Sequence, residues 1–200
     1  MSLIHSDKRS ALFPLNSVLF PGCTLPLQIF EQRYLRLIKT CMRDNHGFVV
    51  ILISLGKEVG DTPETYSIGT YVEIIDWEML ENGLLGITIE AKHRVRVSNP
   101  CAQDDGLMTG EVETLPMADE TGINRDIQIA DLVDTLKQLE QHPYIEQQAM
   151  KVDYSCTQDV CYKLSQLLPL DPLTKQSLLE INTTAEKIDR LRQLIQGIQY

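Results

Sequence analysis

No stretch of this 200-residue chain approaches the roughly 18 uninterrupted apolar residues that a membrane helix requires. The first residues place His5, Asp7, Lys8 and Arg9 where a signal peptide would need an apolar run. Together these absences lead to the expectation of a cytoplasmic protein that does not bind membranes. Glycine-rich phosphate loops are missing too. No G-x-x-x-x-G-K-[ST] or G-x-G-x-x-G occurs, and Gly56-Lys57 is followed by Glu58 with no glycine upstream. H-E-x-x-H and G-x-S-x-G are also absent, so neither nucleotide chemistry nor the common hydrolase chemistries have support. Five cysteines (Cys23, Cys41, Cys101, Cys156 and Cys161) are odd in number and lack close C-x-x-C pairs. That spacing suits neither a disulfide framework nor a zinc site, and packed, reduced thiols are expected. Four histidines (His5, His46, His93 and His142) are too dispersed for a metal centre. No cofactor is expected.

What is present is an ordinary globular composition, 43% hydrophobic and 23% charged, with a formal net charge of −10. The acidic balance opposes non-specific attraction to phosphate backbones. The first 115 residues alternate in a β pattern interrupted by one helix. Prolines 14, 21 and 26 punctuate short apolar stretches, Val18-Leu19-Phe20 among them, which predicts short or bulged strands. From Glu31 the period becomes helical through Tyr34, Leu37, Ile38, Cys41 and Met42, and Asn45-His46-Gly47 supplies a stop. Phe48 to Ile53 is apolar on both faces and predicts a buried central strand, followed by a loop over 57–67.

Thr70 to Leu80 and Leu84 to Val97 flank Asn82-Gly83, the preferred pair for a type I′ hairpin turn. A two-residue turn there would set Glu73 opposite Lys92. Ile87, Ile89, Ala91, Val95 and Val97 are expected on one face, with Thr88, Glu90, Lys92, Arg94 and Arg96 on a water-facing one. A last strand covers Leu107 to Leu115. Beyond Pro116 the pattern is helical. It has stripes at Ile129, Val133 and Leu136 and at Val160, Cys161 and Leu164, an Asp171-Pro172 helix start, capping-box spacing from Thr183 to Glu186, and a final stripe through Ile188 and Leu191. The expected fold class is α+β, with a β-rich part over 1–118 and a C-terminal helical bundle over 119–200.

No catalytic residue stands out. Glu73, Asp76, Glu78 and Glu81 crowd one strand and could in principle do acid–base work, but a solvated edge that resists aggregation accounts for them better. Lys92, Arg94 and Arg96 form the best local basic feature, and an RNA contact through them is the alternative function. No aromatic platform interleaves them, so nucleic acid is disfavoured as a partner.

The run Leu12-Phe13-Pro14-Leu15-Asn16-Ser17-Val18-Leu19-Phe20-Pro21-Gly22, followed by Leu25-Pro26-Leu27-Gln28-Ile29-Phe30-Glu31-Gln32-Arg33-Tyr34-Leu35, resembles the opening of the Lon protease N-terminal domain family. Further matches are Ile68-Gly69-Thr70, Asn82-Gly83, Gly86 to Glu90, Arg94 to Val97, Leu167 to Leu170 and Lys175 to Glu180, so the resemblance runs nearly end to end. It implies a PUA-like pseudo-barrel carrying one helix, then a helical subdomain. It also implies a substrate-recognition role without the ATPase and Ser–Lys protease that follow this region in complete Lon proteases. The expected partners are unfolded or client protein segments, with a separate protease or chaperone as a second kind. The docking surface is expected at the junction of the two parts, with no individual binding residue assigned.

Overall fold

A computed structural model describes residues 9–60, 62–116, 129–141 and 151–198. Its β part comprises β1 (Arg9–Leu15), β2 (Thr24–Ile29), β3 (Phe48–Leu55), β4 (Glu64–Met79), β5 (Leu85–Ala102) and β6 (Met108–Thr114). One helix, α1 (Gln32–Asp44), lies between β2 and β3. The six strands form a mixed sheet in the order β2-β5-β4-β3-β1-β6. Only β1 and β3 pair in parallel, which the intervening β2 and α1 permit by acting as the crossover. β6 pairs with both β1 and the far half of β5, so five strands close into a ring and β2 is appended outside it.

Closure gives the sheet an inside and an outside, and side-chain alternation fills both. Leu12, Val49, Ile51, Val95, Val97 and Met108 form a small core within the ring. Their neighbours Phe13, Phe48, Val50 and Leu52 point outward into a larger core. This explains why β3 is apolar at every position from Phe48 to Ile53: both of its faces are dry. On α1, Tyr34, Leu37, Ile38 and Cys41 are buried as their spacing predicts, and Asn45 ends the helix in the left-handed conformation (φ 51°).

Several expectations need correction. Val18-Leu19-Phe20 is a buried loop rather than a strand. Its backbone groups are satisfied from elsewhere: Phe20 N–H donates to the Gln166 side chain (3.1 Å), and the Thr70 hydroxyl donates to the Leu19 carbonyl (2.7 Å). β4 starts at Glu64, inside the expected loop. The hairpin turn has three residues, not two. Leu80 N–H donates to Leu84 O (2.9 Å) and Gly83 N–H to Leu80 O (2.8 Å). Gly83 is left-handed (φ 79°), whereas Asn82 is not among the residues of positive φ, and the Asn82 side chain accepts from Leu84 N–H (3.0 Å). This is a type I turn closed by a glycine bulge.

The longer turn and a bulge at Ile75 set Glu73 opposite Glu90 instead of Lys92. A second bulge, at Lys92, swaps the faces of β5. Before it, Ile87, Ile89 and Ala91 face the larger core; after it, Val95 and Val97 face the ring interior. Arg94 therefore leaves the expected water-facing side and is 3% exposed.

Among the described residues the C-terminal helices are α2 (Ala130–Glu140), α3 (Thr157–Leu167), α4 (Pro172–Glu180) and α5 (Thr184–Ile198). α3 touches the other three, and α4 reaches β4. Asp171 caps α4 as read from the sequence, accepting from the N–H groups of Leu173 and Thr174 (3.0 Å each). One continuous apolar cluster runs from Phe13 and Leu52 to Leu164, Leu179 and Leu191, so the helices and the sheet share a core. Polar contacts bolt the same seam: Gln176 donates to Ile68 O (3.0 Å), and the Lys163 ammonium bonds Gly22 O. The boundary expected at residue 118, and His5 and His142, lie outside the described residues. No helix among the described residues is long and apolar enough to cross a membrane.

Candidate functional site

The three basic residues of β5 are not brought together. Lys92 is held by Glu90 and by Glu73 (3.4 Å), and these contacts raise its pKa. Arg96 reaches Glu113 across the strand pair (3.4 Å). Arg94 turns inward, where its Nη1 donates to the carbonyls of Leu179 and Ile181 (2.8 Å each) at the end of α4. A guanidinium there satisfies carbonyls that the helix itself leaves unpaired. Its role is to join β5 to the helices.

Two further polar residues, His93 and Arg33, are likewise engaged. His93 stacks on Tyr71 with ring centroids 5.1 Å apart, and burial lowers its pKa. Arg33 pairs with Glu31 (2.9 Å) and donates to Gly106 O (2.9 Å), so it ties the start of α1 to the β5–β6 turn. Burial pushes the Cys23 thiol up to about 12 and the Cys41 thiol up to about 11, which removes both as nucleophiles at neutral pH. Among the described residues no group of three or more His, Cys, Asp or Glu is placed to hold a metal ion.

Exposed apolar side chains concentrate elsewhere, at the far end of β4. Ile75, Trp77 and Met79 are 51%, 55% and 64% exposed, with Phe30, just before α1, and Met42, in its last turn, also uncovered. Local structure explains the exposure. β3 begins at Phe48, opposite Val72, so β4 residues 73–79 have β5 on one side and no strand on the other among the described residues. The cross-strand rows Leu27–Ile87–Trp77 and Ile29–Leu85–Met79 run apolar across the sheet and end at that open edge.

Two hollows adjoin it. One of about 380 Å³ lies between the edge and the end of α1, lined by Met42, Asn45, His46, Glu73, Ile75 and Trp77 among others. The other, about 210 Å³, lies on the opposite side of Trp77, against Pro26, Gln28, Asp76, Glu78 and Thr88. Exposed apolar clusters of this kind are what interaction sites present. These groups lie apart from the junction of sheet and helices, where the docking surface is expected and where the described apolar side chains join in the shared core. Alternation of Ile75, Trp77 and Met79 with Asp76 and Glu78 was visible in the sequence. Which side of the strand would remain uncovered was not.

Comparison with known proteins gives a consistent result. The family model described as "ATP-dependent protease La (LON) substrate-binding domain" matches residues 10–197. The crystal structure of a Lon N-terminal domain protein from Xanthomonas campestris is 30% identical, with a TM-score of 0.70, covering 94% of this chain and 97% of that one. Lon protease of Bacillus thuringiensis is 24% identical over 100% of this chain but 26% of its own length. Lon protease 1 of Bdellovibrio bacteriovorus is 28% identical over 62% of this chain and 15% of its own length. The chain thus spans about a quarter or less of the curated relatives it matches.

Proposed function

The chain belongs to the family of the ATP-dependent protease La (LON) substrate-binding domain, and from that membership we propose that it is a non-catalytic recognition module that binds polypeptide segments through the open end of β4. The observation that carries this reading is the exposed row Ile75, Trp77 and Met79, three apolar side chains on one short stretch of strand, beside two hollows. Burying such side chains against an apolar segment is favourable at about 25 cal/mol per Å² removed from water. A folded client keeps its apolar segments inside, so the surface selects unfolded or exposed ones. A separate protease or chaperone is the second kind of partner.

The same reading takes the closed ring with its appended strand as a PUA-like pseudo-barrel, and the described C-terminal helices as a bundle joined to it by the shared core. Division at residue 118 then separates two parts that fold as one unit. An RNA-binding role gains nothing from Arg94, which is spent on α4.

The test uses the only tryptophan in the chain, Trp77, as the reporter. Full-length protein is titrated with reduced, carboxymethylated ribonuclease A, an unfolded chain without tryptophan. A saturable change in Trp77 emission that native ribonuclease A does not produce is expected. No change, together with no binding by calorimetry, would overturn the proposal.

A further inference from the structure

We propose that the open edge of β4 takes an extended segment as an added strand, and that it selects one in which apolar and basic side chains alternate. This deepens the recognition role proposed above and rests on it. Backbone geometry supplies the first argument. Hydrogen-bonding direction alternates along an antiparallel strand. Leu80 N–H is paired with Leu84 O, so Glu78 and Asp76 also direct their backbone groups at β5. Those of Trp77 and Met79 therefore point away from β5 to the open side. One of these groups is already engaged: Trp77 N–H donates to the Asp76 carboxylate at 2.8 Å. An acidic side chain folded over an edge donor guards the strand against indiscriminate pairing, and it can rotate off when a cation arrives.

Side-chain placement supplies the second argument. Trp77 and Met79 lie in the apolar rows with Ile87 and Leu85, on the face that carries the larger core. Asp76 and Glu78 pair with Thr88 and Gly86 and so lie on the opposite face. A strand laid beside 73–79 would set alternate side chains against Trp77 and Met79 on one face and against two carboxylates on the other. Complementarity on both faces needs an apolar–basic alternation. The slot is also the right place, because it continues the line of β3 past Phe48, where the chain turns away toward α1. Strand addition of this kind draws affinity from the main chain and specificity from alternate side chains.

Trp77 emission again reports binding in the full chain. Four eight-residue peptides are compared: alternating Lys/Val, the same residues in two blocks, alternating Glu/Val, and alternating Lys/Val with N-methyl groups on every second amide. The first should bind about tenfold or more tightly than each of the others, since each control removes backbone bonds, facial order or charge match. The double variant D76K/E78K should reverse the preference toward the Glu/Val peptide. Equal binding of blocked and alternating peptides, or insensitivity to N-methylation, would overturn the inference. So would a concentration-dependent dimer, by sedimentation, that M79K dissociates, because a second copy would then be the occupant. Unfolded ribonuclease A in parallel separates the two claims. If it binds and no peptide does, strand addition fails and the recognition role stands; if neither it nor any peptide binds, both fail.

Discussion

Lys187 is 2% exposed, yet its ammonium has no hydrogen-bond partner among the described residues and no carboxylate at ion-pairing distance. It sits over the Tyr162 ring, 4.1 Å from the centroid. Burial, with a smaller contribution from the Arg94 charge, lowers its pKa from 10.5 to about 7. At about 1.4 kcal/mol per tenfold change in proton affinity, that drop corresponds to a cost near 5 kcal/mol for carrying this lysine at neutral pH. Lys187→Met keeps the stem and removes the charge, so it should stabilise the protein by about 3–5 kcal/mol at pH 7, or about 6–20 °C in Tm for a chain of this size. The pH dependence has a definite sign. Between pH 7 and 10.5 the unfolded chain holds a proton on Lys187 that the folded one does not, so wild-type stability rises with pH across that window. The advantage of Lys187→Met should therefore be largest at or below pH 7 and shrink by pH 10. Urea unfolding of both proteins at pH 6.5, 8 and 9.5 measures this. A destabilised K187M at pH 6.5, or a difference that does not vary with pH, would refute the reasoning.

Arg94→Met should destabilise by about 3–5 kcal/mol, because the buried carbonyls of Leu179 and Ile181 lose a charged donor; thermal unfolding checks this, and a loss under 1 kcal/mol would remove the strand-to-helix bolt from the account. Iodoacetamide at pH 8 should modify Cys101, which is exposed, well before Cys23 and Cys41, whose thiols are buried and pushed up to about 12 and 11; peptide mass spectrometry gives the order. Residues 1–118 expressed alone should melt below the full chain, because the larger core draws Leu164, Leu179 and Leu191 from beyond that point; a cooperative transition at the same temperature would show that the core is not shared in energy.

Legibility in the sequence followed the reach of the physics involved. The all-apolar β3, the stop at Asn45 and the Asp171-Pro172 start are local signals, and each is realised as read. The register of β4 against β5 was not legible. It depends on one extra turn residue and on bulges at Ile75 and Lys92, none of which has a compositional signature. The Lys92 bulge alone moved Arg94 from the expected wet face to the seam, and with it dissolved the basic cluster. Val18-Leu19-Phe20 reads as a strand because its residues are apolar, but its burial is achieved by side-chain hydrogen-bond partners 51 and 146 residues away. The candidate site was half legible. Its alternation of apolar and acidic residues lies in plain view, whereas its exposure follows from where β3 stops and where α1 and the later helices pack.

The central claim is that Ile75, Trp77 and Met79 form a docking surface for unfolded polypeptide, and dye-labelled, carboxymethylated ribonuclease A followed by anisotropy tests it most directly. W77A/M79K changes only exposed side chains at the end of the hairpin, so it should melt within about 1 °C of wild type. With that control met, the account predicts at least about a tenfold loss of affinity, as expected when central apolar anchors are removed from an interface. Equal affinity in the folded double variant would contradict it.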